Sequence, residues 1–146
     1  MGTRRKGREI AMQMLFQSDL GKQTSTEVLK VFWKARLDDD GKQTVEQESQ
    51  HFAEDLFRVA MERSEEIDAL IEQHAQNWRL HRMAVVDRNL LRMAIAEMIG
   101  FKETPHPIVI NEALEIGRKY AAPESVVFLN GVLDAVGRTV LAKRLA

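Results

Sequence analysis

The stretch MAVVDRNLLRMAIAEMI, residues 83–99, decides the fold. From residue 90 onward only Arg92 and Glu97 interrupt the apolar residues, and no Pro or Gly occurs before Gly100, so the composition favours a helix. A helix that is apolar on nearly every side has to be buried on nearly every side. The stretch therefore predicts a central helix, around which the amphipathic segments on either side pack as a bundle.

Apolar residues at helical spacing outline further helices on both sides of this stretch. A first helix is expected from near Thr3 or Lys6 to Leu20, and the capping-box sequence Thr24-Ser-Thr-Glu27 opens a second one. The remaining inward stripes are Val28, Val31, Phe32 and Ala35; Phe52, Leu56, Val59 and Ala60; Ile67, Leu70, Ile71, His74 and Ala75, with Ser64 as N-cap; Ile110, Ala113, Leu114 and Gly117; and Leu129, Val132, Leu133, Val136 and Val140. No stretch alternates with a period of two for long enough to demand a strand. We therefore expect an all-α fold of about seven helices.

The length and composition fit a single domain spanning residues 1–146. A chain of 146 residues that is 45% apolar can bury a sizeable core. The sequence contains no cysteine and no hydrophobic stretch of the signal-peptide type behind its basic start. We expect a cytoplasmic protein.

Charge is distributed unevenly along the chain. The first eight residues, the basic arm, carry Arg4, Arg5, Lys6 and Arg8 and no acid, so the other 138 residues carry 17 basic and 22 acidic side chains, a balance of −5. Arginine presents a planar fork that matches phosphate oxygens, and a basic arm can become ordered on RNA. The arm is therefore a candidate RNA contact; the alternative is a solubilising tail.

Patterns typical of enzymes and metal sites are weak. The acidic run Asp38-Asp-Asp-Gly41 fails as a calcium loop, because Arg36 and Gln47 would occupy its first and closing ligand positions. The four histidines are scattered without a cysteine or a convincing carboxylate partner for zinc. No P-loop, nucleophile elbow or dinucleotide fingerprint is present. We expect no catalytic residue, no metal and no cofactor.

Three groups of residues together resemble one family, the bacterial NusB transcription antitermination factors. They are residues 8–16 (REIAMQMLF); Asn77-Trp78 with residues 82–83, 86–88 and 91–94; and residues 110–113 with Glu124-Ser125 and 128–134 (FLNGVLD). Their order and spacing cover nearly the whole chain. The resemblance implies two small helical bundles that share a long buried central helix.

The resemblance also implies a function and partners. Family members bind the boxA RNA element of ribosomal RNA operons jointly with the ribosomal protein NusE, in a complex that keeps RNA polymerase transcribing through terminators. We expect this chain to be such a non-enzymatic RNA-binding adaptor. The alternatives are a module that targets RNA for a modifying enzyme and a protein-only scaffold, and the sequence leaves open whether the protein is a monomer or a homodimer.

Base contacts are expected at the start of the last helix. Phosphate contacts do not read sequence, and Phe128 faces away from the inward stripe of that helix, where it could stack on an unpaired base. Glu124 matches a family position near the RNA and could accept a hydrogen bond from a base amino group. The alternative is that Phe128 packs against another helix and Glu124 only stabilises a helix N-terminus.

The partner protein is expected near the start of the central helix. Asp87 matches a family position at the ribosomal-protein contact, and Arg88 and Arg92 lie four residues apart on one face. The alternative is helix capping by Asp87 and an internal ion pair that involves the arginines. Trp78 is expected to pack in the core or at the seam between the bundles.

Overall fold

A computed structural model describes residues 2–37, 40–76 and 78–145. Within these ranges the chain forms seven α-helices: α1 (Gly2–Gly21), α2 (Ser25–Phe32), α3 (Gln47–Glu62), α4 (Ser64–His74), α5 (Val85–Gly100), α6 (His106–Tyr120) and α7 (Pro123–Leu145). Short 3₁₀ turns occupy Trp33–Arg36 and Leu80–Arg82. The described part of the chain contains no strand, only an isolated bridge between Leu37 and Gln43. The expected all-α fold is confirmed.

Helix α5 is the centre of the molecule. Eleven of its sixteen residues are buried, which agrees with a sequence that is apolar all round. Helices α1 and α3 pack against it on one side, helices α6 and α7 on the other, and α4 contacts both α5 and α7. The two bundles therefore share this helix, as the resemblance implies.

The closest approach between α1 and α3 depends on a glycine. A Cβ atom at Gly7 would lie 2.6 Å from Cδ2 of Phe52 and 3.2 Å from the carbonyl oxygen of Ser49. Both distances are shorter than ordinary van der Waals contact, so only a residue without a side chain lets the helices pack this closely. Gly7 thereby determines how the first turns of α1 sit on the rest of the fold.

The predicted helix ends and inward-facing residues agree with the structure, with two exceptions. The capping box forms, because Thr24 Oγ1 accepts from the backbone N–H of Glu27 and the Glu27 carboxylate accepts from the backbone N–H of Thr24. However, Val31 and Ala35 are exposed. Only Val28 and Phe32 of α2 are buried, and the 3₁₀ turn that follows Phe32 changes the helical period at Ala35.

The second exception is the predicted N-cap at Ser64. Helix α4 follows α3 directly, so Arg63 occupies the N-cap position and makes no side-chain capping bond. The acidic run considered as a calcium loop falls partly on residues 38 and 39, which lie outside the described ranges.

Helix α7 is long and apolar enough to cross a membrane if only its length and composition are considered. Its apolar residues instead form a stripe that packs against α4, α5 and α6. The stripe comprises Leu129, Val132, Leu133, Val136 and Val140, all of which are buried. Helix α7 is therefore a core helix of the bundle, with the inward face that the sequence predicts.

Candidate nucleic-acid and protein interfaces

The basic arm is helical from residue 2 onward, which buries Arg8 and leaves Arg4, Arg5 and Lys6 at the surface. Arg5 donates from Nε and Nη2 to the two carboxylate oxygens of Glu112 on α6, at 2.9 and 2.8 Å. The hydrogen bond and charge of Glu112 raise the pKa of the Arg5 guanidinium. In turn, the Arg5 hydrogen bond lowers the pKa of Glu112 against the opposing effect of burial. Arg5 is still partly exposed, so it lies at the surface with a carboxylate already bound.

Arg8 points inward instead of toward solvent. It is 5% exposed and donates from Nε and Nη2 to the carboxylate of Glu97, at 2.6 and 2.7 Å. Glu97 lies in the last turn of the core helix α5 and has no exposed surface. The geometry does not support the predicted phosphate contact of Arg8, because a buried guanidinium with a carboxylate partner cannot reach RNA without breaking the pair. Arg8 instead connects α1 to α5 through its ion pair with Glu97.

Arg4 and Lys6 are exposed. The Arg4 guanidinium lies 4.3 Å from the centroid of the Phe52 ring, a cation–π arrangement that leaves its donors accessible to an anion. Lys6 Nζ lies 4.0 Å from a carboxylate oxygen of Glu9, at the limit of an ion pair. Of the four predicted cations, these two are the ones available to phosphate without rearrangement.

A further cation, Lys119, joins this surface from α6. Its Nζ lies 3.1 Å from the Glu9 carboxylate, to which the Tyr120 hydroxyl also donates at 2.5 Å. Burial opposes ionisation of Glu9, but the hydrogen bonds from Tyr120 and Lys119 outweigh it and lower the pKa of Glu9. The sequence shows Lys119 as one of two basic residues at the end of a helix, yet only the packing of α6 on α1 brings it beside Lys6. We call Arg4, Arg5, Lys6 and Lys119 the cationic face.

A pocket lies at the start of α7 and contains both residues that were predicted to contact bases. Its volume is about 290 Å³, and Trp78, Arg82, Asp87, Glu124 and Phe128 are among the residues that line it. The rings of Trp78 and Phe128 meet edge to face, with centroids 6.2 Å apart and planes inclined at 61°. Phe128 is half-buried and Glu124 is exposed. We call this the aromatic pocket.

Trp78 corrects the sequence interpretation. The sequence predicts that Trp78 packs in the core or at the seam between the bundles, but 52% of its surface is exposed. It lies in the irregular segment between α4 and the 3₁₀ turn at Leu80–Arg82, where helical periodicity gives no information about side-chain direction. An exposed tryptophan that contacts the edge of a phenylalanine ring offers a flat apolar surface on which a base can stack.

Asp87 connects α5 to α7. It is 7% exposed, and one of its carboxylate oxygens accepts a hydrogen bond of 2.8 Å from the hydroxyl of Ser125. The same side chain lines the aromatic pocket. Asp87 does not cap its own helix, because the N-cap position is Ala84 and no side-chain capping bond forms there. Its bond instead connects α5 to α7 at the edge of the candidate site.

Arg88 and Arg92 form an internal ion-pair network. Arg88 donates from Nε and Nη2 to the carboxylate of Asp19 at 2.7 and 3.0 Å. Arg92 donates to Asp19 at 3.0 Å and to Asp68 on α4 at 2.9 and 3.2 Å. Burial opposes ionisation of Asp19, but hydrogen bonds from Arg88 and Asn89 and the charge of Arg92 lower its pKa to about 2. Such contacts agree with the internal alternative, in which the arginines hold α1, α4 and α5 together.

The cationic face and the aromatic pocket lie toward opposite ends of α5. The arm is tied to this helix at Glu97 and the pocket reaches it at Asp87, a separation of ten residues or about 15 Å of helix. Helix α6 contacts the arm through Glu112 and Lys119. It ends at Tyr120, and α7, which carries Glu124 and Phe128 of the pocket, begins at Pro123.

Within the described ranges, no group of three or more His, Asp or Glu side chains is arranged to hold a metal ion.

Comparisons with known proteins agree with this arrangement. The model of the NusB family matches residues 5–138. The transcription antitermination protein NusB of Koribacter versatilis is 59% identical over 98% of this chain and 94% of its own length. A structure of T. maritima NusB superposes with a TM-score of 0.79 at 32% identity, covering 92% of this chain and 90% of that one. A structure of antitermination factors NusB and NusE in complex with dsRNA superposes with a TM-score of 0.77 at 30% identity, covering 95% and 98%.

Proposed function

Because the chain belongs to the NusB family of transcription antitermination proteins, we propose that it binds the boxA RNA of ribosomal RNA operons together with the ribosomal protein NusE. In this role it keeps RNA polymerase transcribing through terminators in the cytoplasm, with the whole chain acting as one RNA-binding unit. The relative crystallised with NusE and dsRNA supports both partners. The role is that of an adaptor without catalysis.

The RNA backbone binds the cationic face. Arg4 and Lys6 contact phosphates directly, and Lys119 extends the row toward α7. Arg5 contributes if a phosphate replaces Glu112 as its bidentate partner, an exchange of one bidentate anion contact for another. Arg8 supports binding indirectly by holding α1 on α5. Three arm contacts instead of four predict a log–log salt slope of about −2 from the arm, rather than about −3.

The base-reading element is the aromatic pocket. One base stacks on the exposed face of Trp78 beside Phe128, and the Glu124 carboxylate accepts from an exocyclic amino group. The observation that carries the proposal is this pair of rings next to an acid, with Trp78 exposed and Phe128 half-buried. Because a carboxylate accepts but does not donate, the pocket favours bases that carry an amino group.

NusE binds at the Asp87 end of α5. Asp87 presents its charge at the edge of the pocket, and Arg88 and Arg92 shape this end of the bundle through Asp19. Because Asp87 lines the same pocket that takes the base, bound RNA and NusE lie next to each other, and contact between them should strengthen the binding of each by the same factor.

The test is a titration of boxA RNA and a scrambled control, with and without NusE, followed by fluorescence anisotropy. Phe128→Ala and Trp78→Ala should each weaken boxA binding by about five- to 150-fold, which corresponds to a stacking free energy of about 1–3 kcal/mol. Leu141→Ala is the matched control, because Leu141 is exposed at the far end of the same helix.

The outcomes separate the functions considered. Cooperative binding that prefers boxA over the scrambled RNA supports the proposal. A chain that binds NusE but binds neither RNA would be a protein-only scaffold. A chain that binds RNA without sequence preference or cooperativity with NusE would fit a targeting module for a modifying enzyme. Folded Phe128→Ala and Trp78→Ala proteins that bind boxA as tightly as the wild type would refute the pocket assignment.

A further inference from the structure

A second groove lies where α3 meets α4 and where the C-terminal ends of α5 and α7 approach them. Its volume is about 280 Å³. The floor consists of Leu70, Ile99 and Val140, each less than a tenth exposed. We call it the basic groove, for the side chains on its rim. None of its residues belongs to the cationic face or to the aromatic pocket.

The rim is strongly cationic in a protein of net charge −1. Four basic side chains, Arg63, Lys102, Lys143 and Arg144, surround the floor, and Glu66 is the single acid among the lining residues. Glu66 is already paired with Arg63 at 2.7 Å. Among the residues that the structure describes, Lys102 and Lys143 have no carboxylate within ion-pairing distance, so their charge faces solvent.

One of these cations is held in position. Arg144 donates to the backbone carbonyl of Met98, in the last turn of α5. This carbonyl lies at the negative end of the helix dipole, where a cation is stabilised. The bond orients Arg144 at the rim instead of leaving it to move in solvent, so the groove has a preformed positive edge above an apolar floor.

The chemistry of the groove favours an acidic polypeptide over RNA. Protein surfaces that bind single-stranded RNA combine positive charge with aromatic rings for base stacking, and no aromatic side chain lines this groove. An aliphatic floor under a cationic rim instead complements a segment that carries carboxylates on either side of one apolar side chain. The volume lies just below the range of small-molecule pockets and accommodates a single large side chain.

We propose that the basic groove is a docking site for an acidic segment of a partner protein, which inserts one aliphatic side chain between Leu70, Ile99 and Val140. Its flanking carboxylates pair with Lys102 and Lys143. The site adds a protein contact separate from the NusE and RNA surfaces, so the adaptor can hold a further component of its complex while RNA is bound.

The test uses the full-length protein and two synthetic heptapeptides, six glutamates around a central leucine or a central serine. The methyl NMR signals of Leu70, Ile99 and Val140 should shift with the leucine peptide, at concentrations up to about 1 mM, and much less with the serine peptide. The charge reversal Lys102→Glu/Lys143→Glu should weaken leucine-peptide binding at least about tenfold. The matched control Lys30→Glu/Lys34→Glu makes the same change in net charge at exposed positions elsewhere and should weaken it less than about twofold.

Other results would overturn the proposal. Equal weakening by both double variants would mean that only net charge matters, and no methyl shift at 1 mM peptide would mean that the groove takes no acidic segment. Methyl shifts caused by a single-stranded oligouridine instead of the leucine peptide would assign the groove to RNA. These readouts do not depend on boxA binding, so failure of the docking site and failure of the proposed function are distinguishable.

Discussion

Removal of the Arg8 guanidinium distinguishes a structural ion pair from an RNA contact. In Arg8→Met, Glu97 keeps its position with no exposed surface and loses its bidentate partner. Breaking a buried pair from one side costs about 3–5 kcal/mol, because the remaining charge is left without compensation. Since small proteins have unfolding free energies of about 5–15 kcal/mol, this is a large fraction of the total. The double variant Arg8→Met/Glu97→Leu removes both charges and should recover most of the loss.

Urea unfolding followed by circular dichroism measures this effect. With a typical urea dependence of about 2 kcal/mol per molar, the Arg8→Met midpoint should fall by about 2 M, and the double variant should unfold near the wild-type midpoint. Together with the single variant Glu97→Leu and the wild type, these two variants complete a double-mutant cycle, in which a coupling free energy of more than about 2 kcal/mol identifies the pair.

Arg4→Met is the matched control, since Arg4 is an exposed cation of the same arm. It should unfold like the wild type but lower the boxA salt slope by about 0.7, the loss of one phosphate contact on a single strand. The folded double variant should keep the wild-type slope. The reasoning is refuted if Arg8→Met unfolds like the wild type and loses salt-dependent RNA affinity, because Arg8 would then act on phosphate.

Three further changes test the packing and the buried titratable groups. Gly7→Ala places a Cβ 2.6 Å from Phe52 Cδ2 and should cost about 1–3 kcal/mol in the free energy of unfolding, measured in urea. The pKa of Asp19 is about 2 in the fold and 3.8 ordinarily. Its ion pairs therefore contribute stability that is present above pH 4 and lost as the pH falls toward 2, and Asp19→Asn should remove this loss of thermal stability in acid. Burial and the charge of Arg144 lower the pKa of His106. The unfolded chain therefore binds a proton that the folded chain excludes, and stability falls as the pH drops below about 6.5. His106→Leu should narrow the difference between the urea midpoints at pH 5 and pH 7.5.

Each of these changes has a contrary result, and the changes at Gly7 and His106 also have a matched control. Gly2→Ala introduces the same methyl group where nothing lies within 4 Å, so equal destabilisation of both variants would contradict the close packing at Gly7. If thermal stability still falls between pH 4 and pH 2 in Asp19→Asn as it does in the wild type, the ion pairs of Asp19 add no stability. For the histidine, His81→Leu changes an exposed side chain, and a pH dependence that responds to it as much as to His106→Leu would exclude a specific effect of burial.

The sequence alone was sufficient for the helices and their order. The run of apolar residues in 83–99 predicts a central helix, and α5 is buried along eleven of its sixteen residues. The capping box at Thr24 and the inward stripe of α7 are also as predicted. These features depend on residues within a few turns of one another, so local spacing contains the information. The family resemblance added the prediction that two bundles share this central helix.

The candidate site was determined by contacts that no local pattern contains. The sequence shows four cations in a row, but which of them reaches solvent depends on carboxylates about a hundred residues away: Arg8 pairs with Glu97 and Arg5 with Glu112. Trp78 lies in a segment without helical period, and Lys119 joins the arm only through the packing of α6 on α1. Helical periodicity identifies the buried face of a helix but not its neighbour, and charge composition identifies the cations but not their partners. Tertiary packing alone decides whether an arginine binds an internal carboxylate or remains available to an RNA phosphate.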